Sequence, residues 1–159
     1  MTGKKVFFIG CGALSLVAFV GVLCVVWFVI HVSKGVEGVV VTVNGPPDVV
    51  VGQTFDLEVV VKNERPSKAL DLTDVDLAEA YLEGFTVASV KPTPKSNMHV
   101  PIDDSRSFTF NLPVAAHTTK SFIFTLRAEK AGMYRGDVDV CEGVQVITSM
   151  AQTVVKEKE

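Results

Sequence analysis

Between residues 6 and 32 the chain contains no Asp, Glu, Lys or Arg. The titratable side chains left in that stretch are Cys11, Cys24 and His31. A core helix of a globular domain is rarely apolar on every face over such a length, and Asn, Asp and Pro do not interrupt the run. At ~1.5 Å rise per residue, residues 6–32 as a helix would reach about 40 Å, enough to cross a bilayer that needs about 20 apolar residues. A secretory signal has a shorter apolar region followed by a small-x-small cleavage triplet. After Trp27 the chain reads FVIHVSKG, with no such triplet. A lipoprotein signal is the other rival, because Gly10 precedes Cys11, but Phe8 takes the place of a Leu-like residue and the run continues well past it. The residues favour an uncleaved transmembrane helix over 6–32. Lys4, Lys5 and the α-amino group precede it, which by the positive-inside rule puts the N-terminus in the cytoplasm and everything from residue 36 onward on the far side.

Cysteine is scarce. Of three in the chain, Cys11 and Cys24 lie in the apolar run, so Cys141 has no partner for a disulfide inside the remaining domain. It reads as a small buried hydrophobe, with an intermolecular disulfide as the sharper alternative. Tryptophan is absent after Trp27. Basic charge is also short: twelve of the fifteen basic residues and all eighteen acidic ones fall in 36–159, leaving that part at −6. A nucleic-acid binder shows a basic patch or stripe, so nucleic acid is set aside as a partner.

What remains is alternation. FDLEVVVKN puts Phe55, Leu57, Val59 and Val61 on one face. SFIFTLRA does the same with Phe122, Phe124, Leu126 and Ala128, and MYRGDVDV with Tyr134, Gly136, Val138 and Val140. VQVITSMAQTVV places Val144, Val146, Thr148, Met150, Gln152 and Val154 together, less cleanly. Gly38–Asn44, Phe85–Val90 and Ser107–Leu112 add three further strands. Such period-2 patterning over short runs, with Pro/Gly/Asn/Lys clusters between, reads as half-buried strands and turns. Leu70–Gly84 alternates first, slips between Leu72 and Val75, and then suits a short helical turn ending at Gly84. The fold class that follows is all-β: a single immunoglobulin-like β-sandwich of seven to eight strands, preceded by one transmembrane helix. The corresponding division is a cytoplasmic 1–5, the helix 6–32, a neck 33–37, the sandwich 38–155 and a charged tail 156–159.

Three stretches carry a family resemblance. Gly52 leads into an alternating strand that ends at Asn63; Gly84–Phe85 opens a strand that ends before Pro92; Gly132-x-Tyr134-x-Gly136-x-Val138 forms a late strand. In this the chain resembles the Ig-like domains of bacterial and archaeal surfaces, of the cell-adhesion-related (CARDB-like) and conserved-repeat groups. The resemblance covers most of 38–155, rests on motifs that encode strand ends, and implies a surface interaction or spacer module.

Chemistry is thin. No nucleophile elbow, Gly-rich phosphate loop or HExxH occurs. His99 and His117 read as solvated loop residues, and no catalytic, cofactor-binding or metal-binding residue is assigned. Asp71, Asp74, Asp76, Glu79, Glu83, Asp103 and Asp104 offer oxygens of the kind Ca²⁺ takes. The EF-hand spacing fails because no Gly follows Asp76, and a solvated acidic loop is the plainer reading. In the apolar run Cys11, Ser15 and Ala18 form a strip of small residues that would allow close helix approach, but no GxxxG is present there, and residues that simply face lipid or allow bending are the plainer reading. The expected role is noncovalent protein or envelope-component binding or scaffolding, with no enzyme activity. The loops Glu64–Leu70, Thr93–Asp104 and Val114–Lys120, or an open strand edge, would meet the partner, and residues 6–32 would contact the lipid bilayer. The competing role is a small accessory subunit of a membrane complex, with the helix as its main contact.

Overall fold

The computed structural model describes residues 19–27 and 36–158. The chain divides into two compact units, 1–34 and 35–159. In the first, residues 19–27 are helical, and Phe19, Val22, Val25 and Trp27 are exposed. Among the described residues no helix is long and apolar enough to cross a membrane. The expected span 6–32 otherwise falls outside the described residues, as do Cys11, Ser15, Ala18 and His31.

The second unit is built from ten strands and one helical turn. The strands are β1 (Val39–Asn44), β2 (Asp48–Val50), β3 (Thr54–Asn63), β4 (Leu70–Ala78), β5 (Phe85–Lys91), β6 (Ser96–Val100), β7 (Ser105–Val114), β8 (Thr118–Ala128), β9 (Gly132–Glu142) and β10 (Gln145–Lys156). A one-turn helix, Glu79–Leu82, follows β4. They form two sheets, ordered β1-β3-β8-β5 and β2-β10-β9-β4-β7-β6. All pairs are antiparallel except β2 with β10.

Alternation decides which face is buried. The register sets Phe55, Leu57 and Val59 of β3 opposite Leu126, Phe124 and Phe122 of β8, and directly opposed residues point to the same face. That face meets Leu70, Leu72, Val75 and Leu77 of β4, Phe108 and Phe110 of β7, and Val138 and Val140 of β9, all nearly free of solvent. Edge-to-face or tilted ring pairs, Phe108–Phe124 at 5.1 Å and Phe110–Phe122 at 4.6 Å, join the two layers. Each such side chain stabilises the fold by ~1.5–3 kcal/mol when fully buried. The slip between Leu72 and Val75 is a β-bulge: pairing of β4 with β7 shifts between Leu72 and Asp74, so that residues of both parities point inward.

Four expectations require correction. There are ten strands, not seven or eight. Asp48–Val50 falls in none of the expected strands and Ser96–Val100 lies in the expected loop Thr93–Asp104, the one too short and the other too exposed to show a buried alternation. The strand expected over Ser107–Leu112 runs on through Pro113 and Val114, which end β7. Pro113 is tolerated there because β6 pairs with β7 only between Ser105 and Thr109, leaving that end of β7 open on one side. On β10 the inward set is Ala151, Thr153 and Val155, not Val144 through Val154; Val144, Val146 and Met150 are exposed. The register explains the reversal: Ala151 lies opposite Gly136 and Thr153 opposite Tyr134, the inward residues of β9.

The Gly-containing motifs meet in one corner. A Cβ on Gly84 would fall 2.3 Å from Tyr134 Cε2, and one on Gly136 2.8 Å from the Ala78 Cβ. These absences of side chain let Tyr81, Phe85 and Tyr134 pack together, with ring centroids 5.0 and 5.2 Å apart. Thr153 Oγ1 donates to the Pro46 carbonyl at 3.3 Å, so it accepts from the Tyr81 hydroxyl at 3.0 Å.

Candidate interaction surface

The strand order leaves β5 and β6 as open edges of the two sheets. Between them runs a groove of about 420 Å³, lined by Val87, Ser89, Val90, Thr93, Pro94, Asn97, Arg106 and Phe108. Phe108 is buried, and Val87, Val90, Pro94 and Arg106 are half-buried. Ser89, Thr93 and Asn97 are exposed. At the other ends of the two sheets β1 and β2 are likewise terminal strands, and β1 lies alongside β10. β6 carries exposed side chains along its length, with Met98 64% exposed. One side of its backbone pairs with β7; the other is free to accept a further strand.

Of the three loops expected to meet a partner, two are braced. Asn63, fully buried at the end of β3, donates through Nδ2 to the carbonyls of Lys68 and Val114, both at 2.9 Å, and accepts the Arg65 N–H at 3.2 Å. Arg65 makes a two-pronged bridge to Glu142, at 3.0 and 2.6 Å, and donates to the carbonyls of Glu37 and Ala69. The Arg65 guanidinium holds the Glu142 carboxyl below its usual range, and the bond to Glu142 raises the Arg65 pKa in turn. Val36, just before β1, is buried in the core, and the Glu64 N–H donates to the Gly38 carbonyl at 2.7 Å. The loop around 64–69 therefore clamps the point at which the chain enters the domain. In the third loop, strands occupy both ends of Val114–Lys120, leaving Ala115–His117 as the turn; His117 Nε2 lies 3.2 Å from the Pro66 carbonyl. Thr93–Asp104 is not one loop, since it contains β6.

His99 is accordingly on a strand, not in a loop. Its Nδ1 lies 3.5 Å from Glu79 Oε1, which Arg106 also engages at 3.1 Å. Histidines 99 and 117 belong to different ends of the fold and face no common nucleophile.

The acidic residues separate in the same way. Asp71 lies at the start of β4, Glu79 and Glu83 at the helical turn, and Asp103 and Asp104 in the β6–β7 turn. Asp74 and Asp76 point to the outer face of the six-stranded sheet, where the register adds residues not singled out from the sequence. A row Met98–Ser107–Asp76–Asp139–Thr148 crosses five strands, and the next row is Ser96–Thr109–Asp74–Cys141–Val146. The signal for this was present as two Asp-Val-Asp tripeptides, Asp74–Asp76 and Asp137–Asp139, each on an alternating strand. Burial pushes the Asp76 and Asp139 carboxyls up from the usual range, against the lowering effect of hydrogen bonds from Ser107 and Cys141 to Asp76 and from Thr148 to Asp139. Cys141 is a free, buried thiol on this outer face rather than among the core side chains, and it donates to Asp76 Oδ2 at 3.6 Å. Burial first, then the Asp76 carboxylate, drives its pKa far upward. Among the described residues, no three His, Cys, Asp or Glu side chains are placed to hold a metal ion.

No protein-family model matches the chain, and no curated protein sequence does. Solved structures do. A cohesin module of a family 33 glycoside hydrolase from Clostridium perfringens is similar over 79% of this chain and all of that one, at 14% identity and a TM-score of 0.52. The CARDB domain of a Pyrococcus furiosus protein, solved in complex with di-metal ions, is similar over 78% of this chain and 94% of that one, at 19% identity and a TM-score of 0.49. At these identities the likeness is one of fold: an all-β, two-sheet sandwich with Ig-like neighbours.

Proposed function

We propose that the chain is a membrane-tethered binding or scaffolding module: residues 6–32 form the anchor, the N-terminus is cytoplasmic, and the sandwich works outside the cytoplasm by noncovalent contact. The observation that carries the binding role is the pair of open edges, β5 and β6, flanking a groove lined by both apolar and polar side chains. An open edge supplies backbone hydrogen bonds to an added strand, while neighbouring pockets select its side chains. The partner is a protein or an envelope component, and the role involves no chemistry. The likeness in fold to a cohesin module is in keeping with a module of this kind. The anchor draws on the length of the uncharged run and on the helical, outward-facing Phe19, Val22 and Val25 within it.

Two experiments test the reading. Crosslinking in intact cells, followed by purification of the full-length chain in mild detergent, should recover a partner whose crosslinks fall on the sandwich. Crosslinks confined to residues 6–32 would instead make the chain an accessory subunit held by its helix. Alkaline washing of membranes should leave the chain in the pellet, and deletion of 6–32 should release it; a full-length chain that washes off contradicts the anchor.

A further inference from the structure

β6 ends the six-stranded sheet, and the free side of its backbone is unguarded. Proteins usually blunt such an edge with charge, proline or a bulge. Ser96–Val100 contains no Lys, Arg, Asp, Glu or Pro, and its pairing with β7 runs without a shift along its whole length. The other terminal strands differ. β5 is broken by a bulge between Val87 and Ser89, and β2 is three residues long and follows Pro46 and Pro47. β1 is also unguarded, but its nearest charged neighbours in sequence are acidic on both sides, Glu37 and Asp48.

Around β6 the charge changes sign along the chain. Lys91 and Lys95 precede it, Asp103 and Asp104 follow it, and all four are exposed. Lys91 and Lys95 enter no ion pair among the described residues. Two apolar side chains also stand in solvent here, Met98 at 64% and Ile102 at 97% exposed. A uniformly acidic or uniformly basic strand laid on this edge would meet its own sign at one end. A second β6 running antiparallel does not. With Met98 opposite Met98 of the other copy, Asn97 faces His99 and Ser96 faces Val100, so no like charges are opposed, an arrangement that would destabilise a strand pair. Continued past the strand ends, the same register brings the Asp103–Asp104 turn of one copy beside the Lys91–Lys95 segment of the other, and Ile102 beside Pro94.

We propose that β6 pairs antiparallel with β6 of a second copy of this chain, joining two six-stranded sheets into one across a two-fold axis at Met98. This names the partner of the β6 edge and rests on the reading of that edge as a binding surface. The contact is isologous, so each interaction is made twice. Main-chain hydrogen bonds supply the attraction, covering Met98 and Ile102 removes apolar surface from water, and the flanking charges fix the register. A strand of five residues makes a small interface, so the association is reversible and is read by trapping it.

The test uses the full-length chain in its membrane, with Cys11→Ser and Cys24→Ser so that the buried Cys141 is the remaining native thiol. Directly opposed Cα atoms on antiparallel strands lie about 4.5–5.5 Å apart, within the ~4.4–6.8 Å that a disulfide spans. Under mild oxidation Met98→Cys should give a disulfide-linked dimer, and so should Ser96→Cys mixed with Val100→Cys. Ser96→Cys alone, and Thr42→Cys on β1, should give about fivefold less, since neither thiol faces its own copy within that span. Asp103→Lys with Asp104→Lys should cut trapping through Met98→Cys by about threefold, and adding Lys91→Glu and Lys95→Glu to the same chain should restore it. Every substituted side chain on or beside β6 is exposed except the half-buried Val100, and Met98→Cys alone reads the pairing should Val100→Cys fail to fold. No dimer through Met98→Cys, equal trapping at Ser96 or Thr42, or no loss on charge reversal overturns the proposal. If Met98→Cys stays monomeric while a photo-crosslinker at Asn97 captures a different protein, self-pairing fails and the edge stands as a binding surface. If Asn97 also captures nothing, both fail.

Discussion

Replacing Asn63 by Ala isolates the brace at the end of β3. The side chain is fully buried and makes three hydrogen bonds to backbone groups of two segments, Arg65 and Lys68 of the loop after β3 and Val114 at the end of β7. Alanine leaves all three groups behind. The Val114 carbonyl is the buried one, and leaving it unsatisfied costs ~1–3 kcal/mol. The bonds to Lys68 and Arg65 are only part-buried, so water replaces some of their value, and each loses ~0.5–1 kcal/mol. The total is about 3 kcal/mol. For a domain of this size, ~1 kcal/mol shifts the melting temperature by about 3–4 °C, so Asn63→Ala should lower it by about 10 °C. Thermal unfolding of the full-length chain in mild detergent, followed by circular dichroism, reads this directly. Asn63→Asp keeps the acceptor and loses both Nδ2 donors, so it should be destabilised nearly as far. A shift below about 3 °C for Asn63→Ala would refute the assignment of Asn63 as the brace.

Three further outcomes follow from named contacts. Arg65→Ala should destabilise by ~3 kcal/mol, because it removes the two-pronged partner of the mostly buried Glu142 carboxylate and leaves it only Lys68 Nζ at 3.7 Å and the Asp71 N–H at 3.1 Å; a double-mutant cycle with Glu142→Gln should show strong coupling, and additivity would contradict the bridge. Gly84→Ala forces a Cβ into the Tyr134 ring and should cost ~1–3 kcal/mol through overpacking, whereas Gly21→Ala, where nothing lies within 4 Å of the new atom, should leave the domain's unfolding unchanged. Cys141 should resist maleimide labelling at neutral pH in the folded chain and react on unfolding, because a protonated, buried thiol is a poor nucleophile; per-site mass spectrometry distinguishes it from Cys11 and Cys24.

The strands with an alternating buried face, β3, β8 and β9, were legible in the sequence because burial on one side imposes period 2. The bulge in β4 was legible as a slip between Leu72 and Val75. β2 and β6 were not, since three residues cannot display a period and an exposed edge strand needs no apolar face. β10 misled because it carries apolar residues of both parities, and only its register against Gly136 and Tyr134 selects Ala151, Thr153 and Val155. The Gly and Asn motifs were visible as strand ends; their packing role around Tyr134 and their bracing role at Asn63 depend on contacts distant in sequence. The opposition of Asp76 to Asp139 was hidden for the same reason, although both Asp-Val-Asp tripeptides were in plain view.

The binding role turns on the groove between β5 and β6. Photo-crosslinking amino acids placed at Ser89, Thr93 and Asn97 in intact cells, with Thr42 on the opposite edge as the reference, give the most direct test. The account predicts that the three groove positions capture a common partner and that Thr42 does not. Capture at Thr42 with none at the groove would contradict it.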